Sequence, residues 1–296
     1  MIISNNKLIL GTVQMGLSYG INNIKGKIKV SESHEIFKMA FESGIRLLDS
    51  AETYGNAHQI IGNFHTLYPE YRFNVITKVP PLDKIENIEA KIEQYLQELN
   101  VNELECIMFH SFQSYKNNIN LIPRLENLKE KGQIKQIGVS IYTNEELKEL
   151  IDDNNIDVIQ LPFNLLDNFS VRGKLLNEAK SKGIIIHTRS AFLQGLFFKN
   201  PLEESSIVKP LKNQLIEINN LAQKAGVPIG TLALSYCIGQ SCIDQVLIGI
   251  DSKDQLQFNL DAVGHQISDA IIKSINQIKT TNKDLLNPSL WNNLEK

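Results

Sequence analysis

The sequence predicts a (β/α)8 barrel with a parallel eight-stranded core, on three observations. Short apolar runs rich in Ile, Val and Leu alternate with amphipathic helical stripes along the 296 residues, eight times over. The runs are continuously apolar, as strands covered on both faces must be. No G-x-G-x-x-G occurs, the turn that an open doubly wound sheet usually carries after an early strand. Such alternation gives parallel strands through right-handed crossovers, and eight units in about 300 residues suit a closed barrel. No linker or low-complexity stretch interrupts residues 1–296, which are read as a single domain.

The elements follow in chain order. Leu8 to Val13 is the first strand, closed by Gly11 and Thr12, and the glycine-rich stretch 14–29 is a loop. Ser31 is the expected N-cap of a helix that runs to Gly44 on Ile36, Met39, Ala40 and Phe41. Residues 45–49 form the second strand, followed by a short helix over about 57–64. The third strand spans 73–77, and Ile88, Ile92, Tyr95, Leu96 and Leu99 stripe a helix at 86–99. The fourth strand, 104–109, leads to a helix from Asn120 to Gly132, with Lys129 and Lys131 where the helix dipole favours cations. Strand five is 134–140, and Asn144 caps a helix to Ile151. Strand six is 157–161, with a helix over 170–182, and strand seven is 184–188. A longer loop, 189–209, precedes helices at 210–225 and 229–239, split by Gly226 and Pro228. Strand eight is 245–250, and helices at 253–263 and 268–280 close the chain.

Composition narrows the function classes. Apolar residues make up 42% and charged residues 21%, with a net charge of −3 and no basic block, so neither nucleic acid nor an anionic membrane is an expected partner. The stretch Met1 to Lys7 has no apolar core of signal-peptide length, and no run of about 18 apolar residues exists, so the expected location is cytoplasmic. Cys106, Cys237 and Cys242 lack metal-ligand spacing and read as free thiols in a reducing compartment. The six histidines contain no His-x-His pair, so no metal site is expected. The sequence indicates no particular oligomeric state.

Four ionisable groups fall at the C-terminal ends of three successive expected strands. Asp49 ends the second, and Tyr54 follows in its loop. Lys78 follows the third strand and His110 the fourth. Barrel active sites lie at the C-terminal face, so the four are expected to converge there. A free phenol has a pKa of about 10 and is a poor acid at neutral pH. A neighbouring cation favours the phenolate, and Lys78 is placed to supply it, with Asp49 as the partner that a buried lysine needs. His110 is a hydrogen-bond donor to a substrate oxygen. Together the set suits protonation of a carbonyl oxygen while hydride arrives at carbon. Taken singly, each has a plainer explanation: the aspartate a helix cap, the lysine a solvated charge, the histidine a satisfied rim residue. Spacing alone does not identify the reaction.

The stretches Asp49-Ser-Ala-Glu-Thr-Tyr54-Gly, Ile76-Thr-Lys78, Met108-Phe-His110-Ser, Gly138-Val-Ser140 and Gln160-Leu-Pro-Phe-Asn164 resemble the aldo-keto reductase family, in order and spacing, over nearly the whole chain. The resemblance implies a (β/α)8 barrel that reduces carbonyls with a nicotinamide cofactor, or runs in reverse. It makes Tyr54 the general acid/base, Lys78 the neighbour that lowers its pKa, Asp49 the partner of Lys78 and His110 the substrate-orienting donor. Ser140 and Gln160 would hold the nicotinamide carboxamide, although the family's asparagine after the serine is Ile141 here. Gly11 and Thr12 would lie beside the cofactor. Arg189, Ser190 and Gly195 fall in a segment that resembles the family's loop over the pyrophosphate. Arg189 stands where an aromatic often stacks on the nicotinamide. It could stack through its planar guanidinium, bind an anionic substrate or phosphate, or be a plain surface arginine. Gly249, Ser252, Lys253, Gln255 and Asn259 resemble the grip on the adenosine phosphate. The family's lysine and arginine for the 2′-phosphate are Gly249 and Gln255 here, with Lys253 placed to compensate. The expected cofactor is NADP(H), with NAD(H) as the alternative.

The loops at 14–20, 79–85, 111–118 and 189–209 should wall the substrate pocket, with Met15, Leu17, Tyr19, Phe112, Tyr115 and Phe192 as candidates. The stretches Gln14–Asn22 and Arg189–Leu196 resemble a bacterial branch often associated with surface-sugar biosynthesis, which points first to a sugar-like carbonyl and then to a general aldehyde. The competing function is a reductase-like barrel serving as a nucleotide-binding regulatory subunit, against which the intact four-residue set argues.

Overall fold

The computed structural model describes residues 7–82 and 84–293. Its strands are β1 (Leu8–Gly11), β2 (Leu47–Asp49), β3 (Asn74–Val79), β4 (Cys106–Phe109), β5 (Ile137–Ser140), β6 (Val158–Pro162), β7 (Ile185–Arg189) and β8 (Gln245–Ile248). They close in sequence order into a barrel, all neighbours parallel, with β1 paired to both β2 and β8. The expected fold class is the one observed.

Side chains alternate between the two faces of each strand. One set, Leu10, Leu48, Val75, Ile107, Val139 and Ile159 among it, joins the large core between strands and helices. The other, Ile9, Ile76, Cys106, Met108 and Val158, packs as a separate small cluster inside the barrel, with Leu47, Ile185 and Leu247 against it. Gly138 leaves the room for this filling, since a Cβ there would come within 2.8 Å of the Met108 Cε. Two residues further along each strand the same inward face turns polar. Gly11, Asp49, Lys78, His110, Ser140, Gln160, His187 and Gly249 follow Ile9, Leu47, Ile76, Met108, Gly138, Val158, Ile185 and Leu247 in this way. An apolar plug thus carries a polar layer at its C-terminal end.

Several local expectations shift. β1 stops at Gly11, and Val13–Gly16 forms one helical turn. β3 extends to Val79, so Lys78 lies within the strand and points inward by its alternation. Phe112–Asn117 is a helix where a loop was expected, with the Ser111 hydroxyl accepting from the Ser114 N–H. Ser31 lies inside its helix, Val30–Glu42, which starts without a side-chain cap. Thr143, not Asn144, caps Asn144–Ile151, because Thr-x-x-Glu lets Glu146 reach back and close a capping box. Among the described residues no helix is long and apolar enough to cross a membrane. The three cysteines are free and buried.

Candidate active site

The loop after β2 is fixed by its own backbone before any side chain acts. The Ser50 N–H donates to the Ile76 carbonyl at 2.8 Å, and the Glu52 N–H to the Lys78 carbonyl at 3.1 Å. Gly55 takes a φ of 58°, and a Cβ there would lie 2.5 Å from the Gly16 carbonyl oxygen, so this turn packs main chain against main chain. The Glu52 carboxylate accepts from Lys91 at 3.0 and 2.8 Å and from the Tyr95 hydroxyl, tying the loop to the helix Ile88–Leu99. His58 adds a second tie, 2.7 Å from the Thr77 Oγ1 and 3.0 Å from Glu98.

Asp49 and Lys78 are each 1% exposed and form an ion pair. The Lys78 ammonium also donates to the Ser50 carbonyl at 3.1 Å, and the Gln160 amide donates to the other Asp49 oxygen at 2.8 Å. Both carboxylate oxygens are therefore engaged, as a buried charge requires. Burial pushes the Lys78 ammonium below its usual pKa, and the Asp49 charge and hydrogen bond oppose that. The Lys78 Nζ lies 5.4 Å from the Tyr54 ring centroid. His110 meets the same ring edge-on, centroids 5.9 Å apart, and its Nδ1 is 3.4 Å from the Thr53 hydroxyl.

The electrostatics differ from the sequence expectation in one respect. Burial raises the Tyr54 phenol above its ordinary value and the Asp49 charge adds to this, while the Arg189 cation opposes it. Burial therefore outweighs the neighbouring cations in the resting site, where the Lys78 ammonium is engaged by Asp49 and the Ser50 carbonyl. Tyr54 is protonated at neutral pH. Burial, followed by the Lys78 charge, lowers His110 to about 4, so its imidazole is neutral. His187, in the same inward layer, is also lowered to about 4 by burial, and its Nδ1 has no partner.

These groups open on a cleft of about 760 Å³. Asp49, Tyr54, Lys78 and His110 all line its inner end, beside Ser140, Gln160 and Arg189. Gly11, Thr12, Ser190, Gly195 and Gly249 line its course, and Gln255 and Asn259, on the helix Lys253–Ala262, its outer end. Ser252 and Lys253 do not line it. The Ser252 hydroxyl is spent as the N-cap of Lys253–Ala262, accepting from the Gln255 N–H at 3.3 Å, and the Lys253 ammonium lies 3.8 Å from Glu35. Of the expected wall residues, Tyr19 and Phe192 face the cleft. Met15 and Tyr115 are buried in the core, and neither Leu17 nor Phe112 lines the cleft. Two ties cross the opening: the Gln194 amide donates to the Tyr19 hydroxyl at 2.6 Å, and the Asn22 amide to the Gly195 carbonyl at 2.8 Å.

Residues that the sequence reading passed over include Gln14, Tyr142, Asp251 and Asp254. Tyr142 and Asp251 carry a signal, since each continues the inward alternation two residues past Ser140 and Gly249. A long polar ligand fits this lining. A Cβ on Gly249 would come 2.6 Å from the Gln14 amide, and the buried Gln14 Oε1 and Asp251 Oδ1 have no partner. Among the described residues no group of three or more His, Cys, Asp or Glu is arranged to hold a metal.

A profile of the Aldo/keto reductase family matches residues 7–280. The chain belongs to this family. Among curated relatives, the NADH-specific methylglyoxal reductase of Escherichia coli (strain K12) is 24% identical over 270 residues, covering 78% of this chain and 82% of its own. The L-galactose dehydrogenase of Arabidopsis thaliana is 24% identical, covering 88% and 86%. The L-glyceraldehyde 3-phosphate reductase of Escherichia coli O157:H7 is 21% identical, covering 84% of each chain. Among solved structures, the holo form of an aldo-keto reductase from Bacillus halodurans superposes with a TM-score of 0.73 at 20% identity, covering 93% of both chains. This aldo-keto reductase is an oxidoreductase that acts on small carbonyl compounds with a nicotinamide cofactor.

Proposed function

We propose that the protein reduces an aldehyde, ketone or sugar-like carbonyl to the alcohol, or runs the reverse, with Tyr54 as general acid/base. The observation that carries this reading is the meeting of Tyr54, His110 and the buried Asp49–Lys78 pair at one end of one cleft. Neutral His110 donates a hydrogen bond to the carbonyl oxygen and fixes it beside the Tyr54 hydroxyl. The protonated phenol gives its proton to that oxygen as hydride reaches the carbon; in the oxidative direction the proton returns to Tyr54. The Lys78 charge, held by Asp49, then acts on the phenolate left behind, so its effect falls on the transition state and not on the resting acid.

A nicotinamide dinucleotide supplies or accepts the hydride when bound. The Ser140 hydroxyl and the Gln160 carbonyl oxygen would hold its carboxamide, since the Gln160 nitrogen is already spent on Asp49. Gly11, Thr12, Ser190, Gly195 and Gly249 flank its course, and Gln255 and Asn259 its adenosine end. That outer end favours NAD(H) over NADP(H). Asp251 and Asp254 face the cleft there, while Lys253 is turned toward Glu35. Two carboxylates repel a 2′-phosphate and accept hydrogen bonds from a free ribose hydroxyl. The curated NADH-specific relative agrees with this preference.

The experiment is oxidation of NADH and NADPH, each followed at 340 nm with a panel of aldehydes and aldoses. Turnover is expected in the wild type, with a loss of about 10²–10⁴-fold in Tyr54→Phe. Cofactor binding with no turnover of any carbonyl would instead leave a regulatory barrel. Fluorescence titration with the two cofactors side by side should give the tighter constant for NADH, and a tighter NADPH would defeat the cofactor assignment.

A further inference from the structure

Arg189 is a cation at the inner end of the cleft that no carboxylate answers among the described residues. It closes β7 on the inward face, after Ile185 and His187. Its guanidinium carbon lies over the Tyr142 ring, 4.1 Å from the centroid, and one nitrogen donates to the Ile141 carbonyl at 3.1 Å. A guanidinium has five N–H donors in a rigid fork, so most of them remain available. The surroundings leave its charge uncancelled. Asp49 and Lys78 neutralise one another, and His110 and His187 are neutral at pH 7. A half-buried, pre-oriented fork with a net positive charge is complementary to a planar or tetrahedral oxyanion.

We propose that Arg189 seats an anionic group of the substrate, a carboxylate or phosphate a few bonds from the carbonyl that Tyr54 protonates. This deepens the oxidoreductase reading and rests on it for the position of the carbonyl. The same chemistry exists on the dinucleotide, but its phosphates are separated from the nicotinamide by a ribose, whereas Arg189 lines the end of the cleft that holds Tyr54 and His110. An anion held there also explains why no carboxylate among the described residues pairs with the cation: a carboxylate from the chain would occupy the seat.

The test uses paired probes on the full chain, glyceraldehyde 3-phosphate against glyceraldehyde and succinic semialdehyde against butanal. The wild type should favour the anionic member of each pair at least tenfold in kcat/KM, mainly through KM. Arg189→Met should bring that ratio to near one, and Arg189→Lys should keep part of it. Calorimetric titration of the cofactor-free protein with inorganic phosphate and with succinate reads the seat without turnover. Saturable binding in the wild type and its loss in Arg189→Met are expected. Equal use of neutral and anionic members by the wild type would overturn the proposal. So would a loss of NADH affinity in Arg189→Met as large as the loss of selectivity, which would give the arginine to the dinucleotide. If no carbonyl is turned over, the oxidoreductase reading fails, and the titrations alone still decide whether Arg189 binds an oxyanion.

Discussion

At the inner end of the cleft, Asp49 is answered on both oxygens, Lys78 makes an ion pair and a carbonyl contact, and each is 1% exposed. At the outer end Asp251 and Asp254 face the same cleft with no cation paired to either among the described residues, on the rim of an exposed helix start. The two ends are fixed by different physics. Inner charges are held by burial and by one another, so that their geometry is set before a ligand arrives. Outer charges are half-buried or exposed, and they select a ligand by repelling one with extra negative charge. Arg189 stands between these cases, placed like an inner residue and unpaired like an outer one.

The comparison is broken most severely at Lys78. Lys78→Met leaves the Asp49 carboxylate buried without its cation, which costs about 3–5 kcal/mol of stability. Activity should be lost and Tm should fall. The double variant Asp49→Asn/Lys78→Met removes the stranded charge, so it should recover most of the Tm and none of the activity. Recovery of activity would mean that the pair serves only the fold. Glu52→Gln is the next largest. It weakens the tie of the Tyr54 loop to Lys91 and Tyr95 without touching the cleft. A displaced Tyr54 should lower kcat by about 10²-fold or less, with KM nearly unchanged, in steady-state kinetics. An equal fall in Tm and no change in kcat would make Glu52 purely structural.

The barrel was legible because short, continuously apolar runs alternate eight times with helical stripes. Asp49, Lys78 and His110 followed from their places at strand ends, and Ser140 and Gln160 from the family resemblance; the alternation within each strand is the physical reason that all five face the cleft. What the sequence hides is direction at the level of a single rotamer or helix phase. Lys78 was expected to pair with Asp49 beside the phenol; its ammonium pairs with Asp49 at 5.4 Å from the Tyr54 ring centroid, and the Ser50 carbonyl is a further acceptor that spacing does not show. Lys253 and Asp254 are adjacent at the start of one helix. A rotation of about 100° per residue puts the carboxylate on the cleft and the ammonium toward Glu35, and no spacing rule gives that phase before the cap at Ser252 is known. The capping box at Thr143 was readable from Thr-x-x-Glu, and the adjacent Asn144 was a competing cap of nearly equal preference.

Acid separates the two ends by the sign of its effect. His110 and His187 titrate near 4 in the folded protein and near 6.5 when unfolded. As pH falls, the unfolded chain takes up these protons first, so stability is full above about 6.5 and declines toward 4. Asp251 acts oppositely, since burial raises its carboxyl and protonation relieves that cost. Tm measured from pH 7.5 to 4.5 should fall with acid, and less steeply in His187→Asn. An unchanged slope would place the acid-sensitive groups elsewhere.

The smallest expected effect sits on the rim. Asp254→Lys reverses one exposed charge at the outer end, where solvent screens it. The ratio of NADPH to NADH dissociation constants should fall by about threefold to tenfold, the range of a partly exposed pair. The shift should shrink at high salt, whereas substitutions at Asp49 or Lys78 should show no salt dependence, because water and ions do not reach a pair that is 1% exposed. A salt-insensitive change at Asp254 would mean that its carboxylate contacts the ribose directly. The outer end would then be built on the same fixed geometry as the inner one.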